Sequence, residues 1–295
     1  MPPLHGPEPP DESIERAVVV TGASSGIGEA TALALAERGF RVFAGVRRVE
    51  DGERLQAVAG ARLTPVPLDV TRADSIANAA RAVTAYVGDT GGLTALVNNA
   101  GIVVSGPLVH VAPEDLRQQL DVNVVGLIAV TQAFLPLLRR ARGRIVNVGS
   151  TSGRIAGPLI GAYCASKFAL EAATQVLRME LRGEGIFVSI IEPGIVATPL
   201  WDKLAERDGR LAARLATIDP PSSEALAARR RRLGALKRSG QPAAKVARRI
   251  VEAVTSTRPR KRYVVGLEAR LKILLARALP EDALDRLRRM VAHAK

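Results

Sequence analysis

Along the chain, short runs of aliphatic and β-branched residues alternate with longer stretches whose apolar positions recur every three or four residues. The first run, "AVVV" (17–20), leads through a glycine-rich turn into the helical pattern "EATALALAERG" (29–39). The same pairing then repeats. Strand patterns stand at 41–46, 62–70, 93–101, 143–150 and 186–194, and helical patterns at 53–60, 75–88, 113–141 and from Tyr163 to about Arg182. Continuous apolar strands separated by amphipathic helices predict a parallel sheet buried on both faces. The expected fold is therefore α/β, a doubly wound, Rossmann-type sheet with helices on both sides.

Beyond residue 198 the pattern changes. Residues 199–241 are helical and charged, broken by Asp219-Pro220-Pro221, and follow directly on a strand end. An insertion at that point is placed to form a lid over a ligand. Its Leu200, Trp201, Leu204, Leu211 and Leu215 recur at helical spacing, either as packing or as substrate contacts. Residues 243–256 return to an amphipathic helix, "RYVVG" (262–266) to a short strand, and 269–291 to one or two amphipathic helices. The organisation expected is a loose lead at 1–16, one domain over 17–266 with its lid at 199–241, and a helical extension at 267–295.

Composition narrows the function classes. A single cysteine excludes an intrachain disulfide and fits a reducing, cytoplasmic setting. The opening "MPPLHGPEPPDESIER" has neither a basic nor an apolar signal region, and no apolar run reaches 18 residues, so neither a secretory leader nor a membrane-spanning helix is expected. The net charge of +13 is concentrated after Trp201, where 24 Lys/Arg face 10 Asp/Glu. Without interleaved aromatics or zinc-finger spacing, this excess reads as a solvated face rather than a nucleic-acid surface. The C-terminal amphipathic segment is expected to allow peripheral contact with a membrane. The three histidines are scattered, which supports neither a zinc cluster nor a Ser-His hydrolase, and no metal is expected.

Between the first strand and first helix stands Thr21-Gly22-Ala23-Ser24-Ser25-Gly26-Ile27-Gly28. Glycines there allow a sharp turn and close approach of a pyrophosphate to a helix N-terminus, although the GxxxGxG spacing differs from the common GxGxxG. At the end of the second strand, Val46 occupies the place of the acid that would bind a ribose diol, and Arg47 follows. Arg47 offers planar contact to a 2′-phosphate, which points to NADP(H), with NAD(H) as the other cofactor. The competing assignment leaves Arg47 solvated and gives the diol to Glu50 or Asp51. Asp69, ending the third strand, either accepts from the adenine amino group or caps the next helix.

The helix "GAYCASKFAL" (161–170) carries Tyr163 and Lys167 one turn apart on one face. Alone, such a pair is ordinary. Together with TGxxxGxG, Asn98-Asn99-Ala100-Gly101, Ser150, Asn123 and Pro193-Gly194-xxx-Thr198, all in this order, the chain resembles the short-chain dehydrogenase/reductase family over residues 17–200. Its "YCASKFALEA" and later "RYVVG" look most like the branch of 17β-hydroxysteroid and retinol dehydrogenases. The resemblance implies that Tyr163 exchanges a proton with the reacting oxygen, that Ser150 orients that oxygen, that Lys167 binds the nicotinamide ribose and tunes Tyr163, and that Asn123 holds a water joining Lys167 to solvent. It implies cofactor contacts at Gly22, Ser24, Ser25, Gly26, Ile27, Gly28, Arg47, Asp69, Val70, Asn99, Ala100, Gly101, Tyr163, Lys167, Pro193, Ile195 and Thr198.

A cation one turn away is expected to lower the phenol's pKa of about 10 by roughly one to three units. Ala165 and Ser166 are small, either to admit cofactor and substrate or for helix packing, and Cys164 reads as a small buried residue. The activity expected is NADPH-preferring interconversion of an alcohol with its ketone or aldehyde. The expected substrate is an apolar steroid-, retinoid- or lipid-like molecule, and the enzyme a homodimer or homotetramer built on the helices around Asn123 and Tyr163. The alternative is a dinucleotide-sensing or scaffolding protein without turnover, whose basic tail binds a partner.

Overall fold

A computed structural model describes residues 16–280, 282–284 and 286. All but one residue of the lead at 1–16, and the end of the 267–295 extension, lie outside them. Five strand–helix pairs open the fold. They are β1 (Ala17–Thr21) and α1 (Gly26–Glu37), β2 (Arg41–Val46) and α2 (Val49–Ala59), β3 (Leu63–Pro67) and α3 (Ala73–Val87), β4 (Leu93–Asn98) with α4 (Pro113–Leu120) and α5 (Gly126–Arg140), and β5 (Arg144–Val148) with α6 (Gly161–Glu180). Strand β6 (Phe187–Pro193) follows, then the two-residue β7 (Val196–Ala197), α7 (Leu200–Leu215), α8 (Pro220–Ser239), β8 (Gln241–Pro242), α9 (Ala243–Thr255), β9 (Arg262–Val265) and α10 (Leu267–Ala278).

Seven strands form one wholly parallel sheet in the order β3-β2-β1-β4-β5-β6-β9. The direction of winding reverses between β1 and β4, which opens a crevice beyond the C-terminal ends of those strands. Edge placement explains how β3 tolerates Pro65 and Pro67, since an edge strand leaves one side of its backbone unpaired. The pleat sends Val18 and Val20 into a cluster with Leu35 and Ile250, under α1 and α9. Ala17 and Val19 go to the opposite cluster with Val83, Phe134 and Leu138, under α3 and α5. Both faces are thus dry, and the chain can open a polar site only at a strand end.

The long helix expected at 113–141 is not uniform. Between α4 and α5 one wide turn, Asp121–Val125, takes the π form, which inserts a residue and re-aims Asn123 inward. Residues Pro113–Arg140 taken together are long and apolar enough to cross a membrane, contrary to the expectation from uninterrupted runs. Val130, Phe134, Leu137 and Leu138 are nevertheless buried against the sheet, as in a core helix.

Phe134 is fully buried between α5 and the strands. Phe134→Ala should lower stability by ~3–5 kcal/mol through lost burial and a residual cavity. Urea unfolding should show this as a lower midpoint with an unchanged slope.

Candidate active site

The crevice beyond β1 and β4 opens into a cavity of about 870 Å³. Its floor is the glycine loop. The Thr21 hydroxyl accepts from the backbone N–H of Asn99 and of Ala100, each at 3.0 Å, while the Asn99 side chain donates to the carbonyls of Thr21 and Gly22, also at 3.0 Å. These four bonds tie the ends of β1 and β4 together across the point of reversal. The tie leaves no room at position 28, where a Cβ would stand 2.2 Å from the Gly22 carbonyl oxygen and 2.4 Å from Asn99 Nδ2. At Gly26 φ is +62° and a Cβ would meet Thr198 Cγ2 at 3.0 Å, so the loop and the segment after β6 close on each other. Helix α1 begins at Gly26, and the Ser25 side chain makes no capping bond, so the first N–H groups face the cavity as an anion cradle.

Arg47 is exposed at the cavity wall beyond the buried Val46. Arg48 instead holds Asp51 in a fork, with both bonds at 3.0 Å, so Asp51 is engaged and Arg47 is the residue that borders the cavity. Asp69 accepts from both the backbone N–H (2.9 Å) and the hydroxyl (2.7 Å) of Thr71, closing a turn ahead of α3 rather than capping the helix itself. Burial pushes the Asp69 carboxyl up, but the Thr71 bonds and the charges of Arg47 and Arg72 outweigh it and hold it below its ordinary value.

The opposite wall comes from β5 and α6. Ser150 follows β5 and its hydroxyl accepts from Ser152 N–H at 3.1 Å. Tyr163 and Lys167, in the first two turns of α6, also line the cavity. The Lys167 ammonium donates to the Val148 carbonyl at 2.8 Å, the last residue of β5, and lies 5.7 Å from the centre of the Tyr163 ring. Asn123 is buried beside them. It accepts from Ile102 N–H at 2.9 Å and donates to the Ile102 carbonyl at 3.1 Å and to Ser166 Oγ at 3.0 Å.

Residues 16–209 match the family model for short chain dehydrogenases. The chain belongs to the short-chain dehydrogenase/reductase family. It is 39% identical to human retinol dehydrogenase 5 over 279 residues, covering 91% of this chain and 86% of that protein. It is 45% identical to human 17-beta-hydroxysteroid dehydrogenase type 6 over 185 residues, 62% of this chain and 58% of the other. The retinol and steroid dehydrogenase-like branch is thereby the right one. Among solved structures, a short chain dehydrogenase from Burkholderia cenocepacia J2315 in complex with NADP matches at 27% identity and TM-score 0.71, over 93% of this chain and 98% of that one. A short chain dehydrogenase/reductase from Burkholderia phymatum in complex with NAD matches at 27% identity and TM-score 0.76, over 90% and 94%. The protein is thus an oxidoreductase of a family acting on CH–OH donors.

Within this dehydrogenase, Ser24, Ser25, Ile27, Val70, Ala100, Gly101, Pro193, Ile195 and Thr198 border the same cavity as Gly22, Gly26, Arg47, Asp69, Asn99, Ser150, Tyr163 and Lys167. Gly28 and Asn123 are not part of its lining; each sits one layer back, where it fixes the loop or helix in front. Ser166 is also behind the wall. It is fully buried, accepts from Asn123 and donates to the Tyr163 carbonyl at 2.7 Å, and Ala165 is exposed, so neither serves to admit a ligand.

In the cofactor-free protein, burial opposes the expected acidity of the phenol. Burial pushes Tyr163 up to about 12, opposed by its hydrogen bond with Ser150, and burial pushes Lys167 down to about 8. The Lys167 ammonium donates to the Val148 carbonyl, and burial is the largest influence on both groups. Sequence reasoning also missed a buried cluster next to the Pro193 loop. Glu192 is fully buried against Arg262, which forks onto Glu171 of α6 at 2.9 and 2.7 Å. Only its polar identity inside an apolar strand, "VSIIEPG", signals it.

Lys167 predicts a pH signature. Its folded value of about 8 lies below the free side chain's 10.5, so between those pH values the unfolded chain holds a proton that the folded chain has released. Stability from this group therefore rises as pH goes from 8 to 10.5. Lys167→Met should abolish that rise, as urea unfolding of both proteins at the two ends of the window would show.

Proposed function

We propose that this short-chain dehydrogenase/reductase interconverts a bulky apolar alcohol with its carbonyl, with NADP(H) preferred over NAD(H). The observation that carries the reading is the convergence of Ser150, Tyr163 and Lys167 on one cavity with the glycine cradle. The residues fit a dinucleotide because a glycine-rich loop leads into the N-terminus of α1 at one end of the cavity and Tyr163 stands at the other. When bound, the nicotinamide would supply or receive the hydride. Val46 and the cavity-facing Arg47, beside an Asp51 already held by Arg48, support a 2′-phosphate over a bare ribose diol.

The protein's own part is the proton and the alignment. A phenol pushed up to about 12 is un-ionised at neutral pH and is a ready donor to a carbonyl oxygen. Ser150 accepts from Ser152 N–H, which leaves its own hydrogen to aim at the phenol or at the substrate oxygen. Lys167 gives one N–H to Val148 and keeps two for ribose hydroxyls. Asn123 and Ser166 hold the first turn of α6 in place behind Tyr163. The similarity to human retinol dehydrogenase 5 and a cavity edged by Ile160, Leu200, Trp201 and Leu204 support a retinoid- or steroid-like substrate.

Exposed Val125, Phe168, Val176 and Met179 on and beside the two long helices support a homodimer or homotetramer. On α10, Leu267, Leu271 and Leu274 are exposed at spacings of four and three, among Arg270 and Lys272, which supports peripheral contact with an anionic membrane.

Turnover is read by NADPH absorbance with all-trans-retinal, a steroid ketone and small aldehydes. Tyr163→Phe should lower it by ~10²–10⁴-fold while cofactor binding stays unchanged. Cofactor binding with no turnover of any carbonyl in the wild type contradicts the reading. Arg47→Ala should weaken NADPH binding by ~10–100-fold, the worth of a charge-assisted hydrogen bond, and leave NADH binding as it was.

A further inference from the structure

Two paired charges outside the cavity lining tie the 199–241 helices to the walls of the cavity. Asp208 of α7 is fully buried, and Arg229 of α8 is partly buried, its side chain 15% exposed. The guanidinium forks onto the carboxylate at 2.8 and 2.5 Å, and the same carboxylate accepts from the Ser105 hydroxyl at 2.6 Å. Arg229 Nη1 then donates to the Leu159 carbonyl at 2.7 Å, which also accepts from Gly106 N–H at 2.8 Å. One ion pair therefore grips the loop after β4 at Ser105 and the loop after β5 at Leu159.

What it grips is strained. Leu159 has φ +64°, a left-handed conformation that a bulky side chain resists, and it precedes the cavity-lining Ile160, the residue just before α6. On the lid side, Leu204 lines the cavity one turn before Asp208, and Leu211 packs so tightly on Gly106 that a Cβ there would lie 2.5 Å from it. Burying a charged pair gives little net stability against an apolar replacement, so its retention calls for a geometric reason.

We infer that the Asp208–Arg229 pair is a specificity-determining latch, which holds Ile160 and Leu204 at a fixed separation so that the lid forms a rigid substrate wall rather than a gate. The inference rests on the substrate reading above for its selectivity, but not for the wall itself. Arg229 and Asp208 are positioning residues, since they act through Leu159, Ser105 and the helix they hold.

Arg229→Met alone strands a buried carboxylate and can fail by unfolding. The decisive variant is therefore Asp208→Leu/Arg229→Met, which restores apolar packing but cannot bond Ser105 or the Leu159 carbonyl. Two readouts are taken in wild type and double variant. One is the ratio of kcat/KM for all-trans-retinal to that for benzaldehyde. The other is acrylamide quenching of Trp201, the single tryptophan of the chain and part of the cavity wall. The latch predicts that the ratio falls by roughly tenfold or more, the scale of a lost pocket contact, with quenching clearly increased and NADPH affinity unchanged. An unchanged ratio overturns it, whatever the quenching. If wild type reduces neither aldehyde, the substrate reading fails, and quenching alone decides the wall: increased exposure of Trp201 upholds it and unaltered exposure overturns it.

Discussion

A buried ammonium sets the terms at the open edge of this sheet. Among the described residues Lys167 has no counter-ion in contact; it is held by the carbonyl that ends β5, at 2.8 Å, and its burial lowers its own pKa toward neutrality. That bond, with those of Asn147 to Thr174 and Arg262 to Glu171, holds α6 against the sheet and sets where its reactive residues stand. Tyr163, one turn earlier on the same face, must then stand over the end of β5, where Ser150 emerges. The phenol shares the enclosure, so it is held as a proton donor rather than as a phenolate.

The rest of the site consists of backbone segments tied to one another before any ligand arrives. Thr21 and Asn99 lock β1 to β4, Asn123 and Ser166 lock the π turn to α6, and Glu192 with Arg262 and Glu171 locks β6 and β9 to the same helix. A further polar row, Asn98 to Asn147 and on to Thr174, each link at 3.0 Å, joins β4, β5 and α6 within the apolar layer. The hydrogen-bonded ties at Thr21–Asn99, Asn123–Ser166 and Asn98–Asn147–Thr174 rigidify what they join, and rigidity of this kind is what orienting a proton donor against a hydride carrier requires.

Much of this was legible in the sequence for an identifiable reason. The strands are continuous apolar runs because both faces of a parallel sheet are dry, and the glycine loop is visible because position 26 has a positive φ and position 28 has no space for a side chain. The unread parts share a physical cause. Lys167's partner is a backbone carbonyl, and carbonyls leave no trace in residue identity. The π turn at Asp121–Val125 has no sequence signal in an otherwise helical pattern. Asp208 and Arg229 look like two members of a charged helical stretch until folding buries them. The direction of the Tyr163 shift in the cofactor-free protein was not legible, because spacing reports a neighbour's charge, whereas burial pushes this phenol up.

The direct test of the account is the ionisation of Tyr163 itself, followed by carbon NMR of ring-labelled tyrosine in the cofactor-free protein. Only three tyrosines contribute, and the Tyr163 signal is identified by its loss in the phenylalanine variant. The account predicts that this phenol stays protonated past the ordinary value of 10.0, toward about 12. Ionisation between pH 7 and 9 would contradict it, by showing that the Lys167 charge outweighs burial after all.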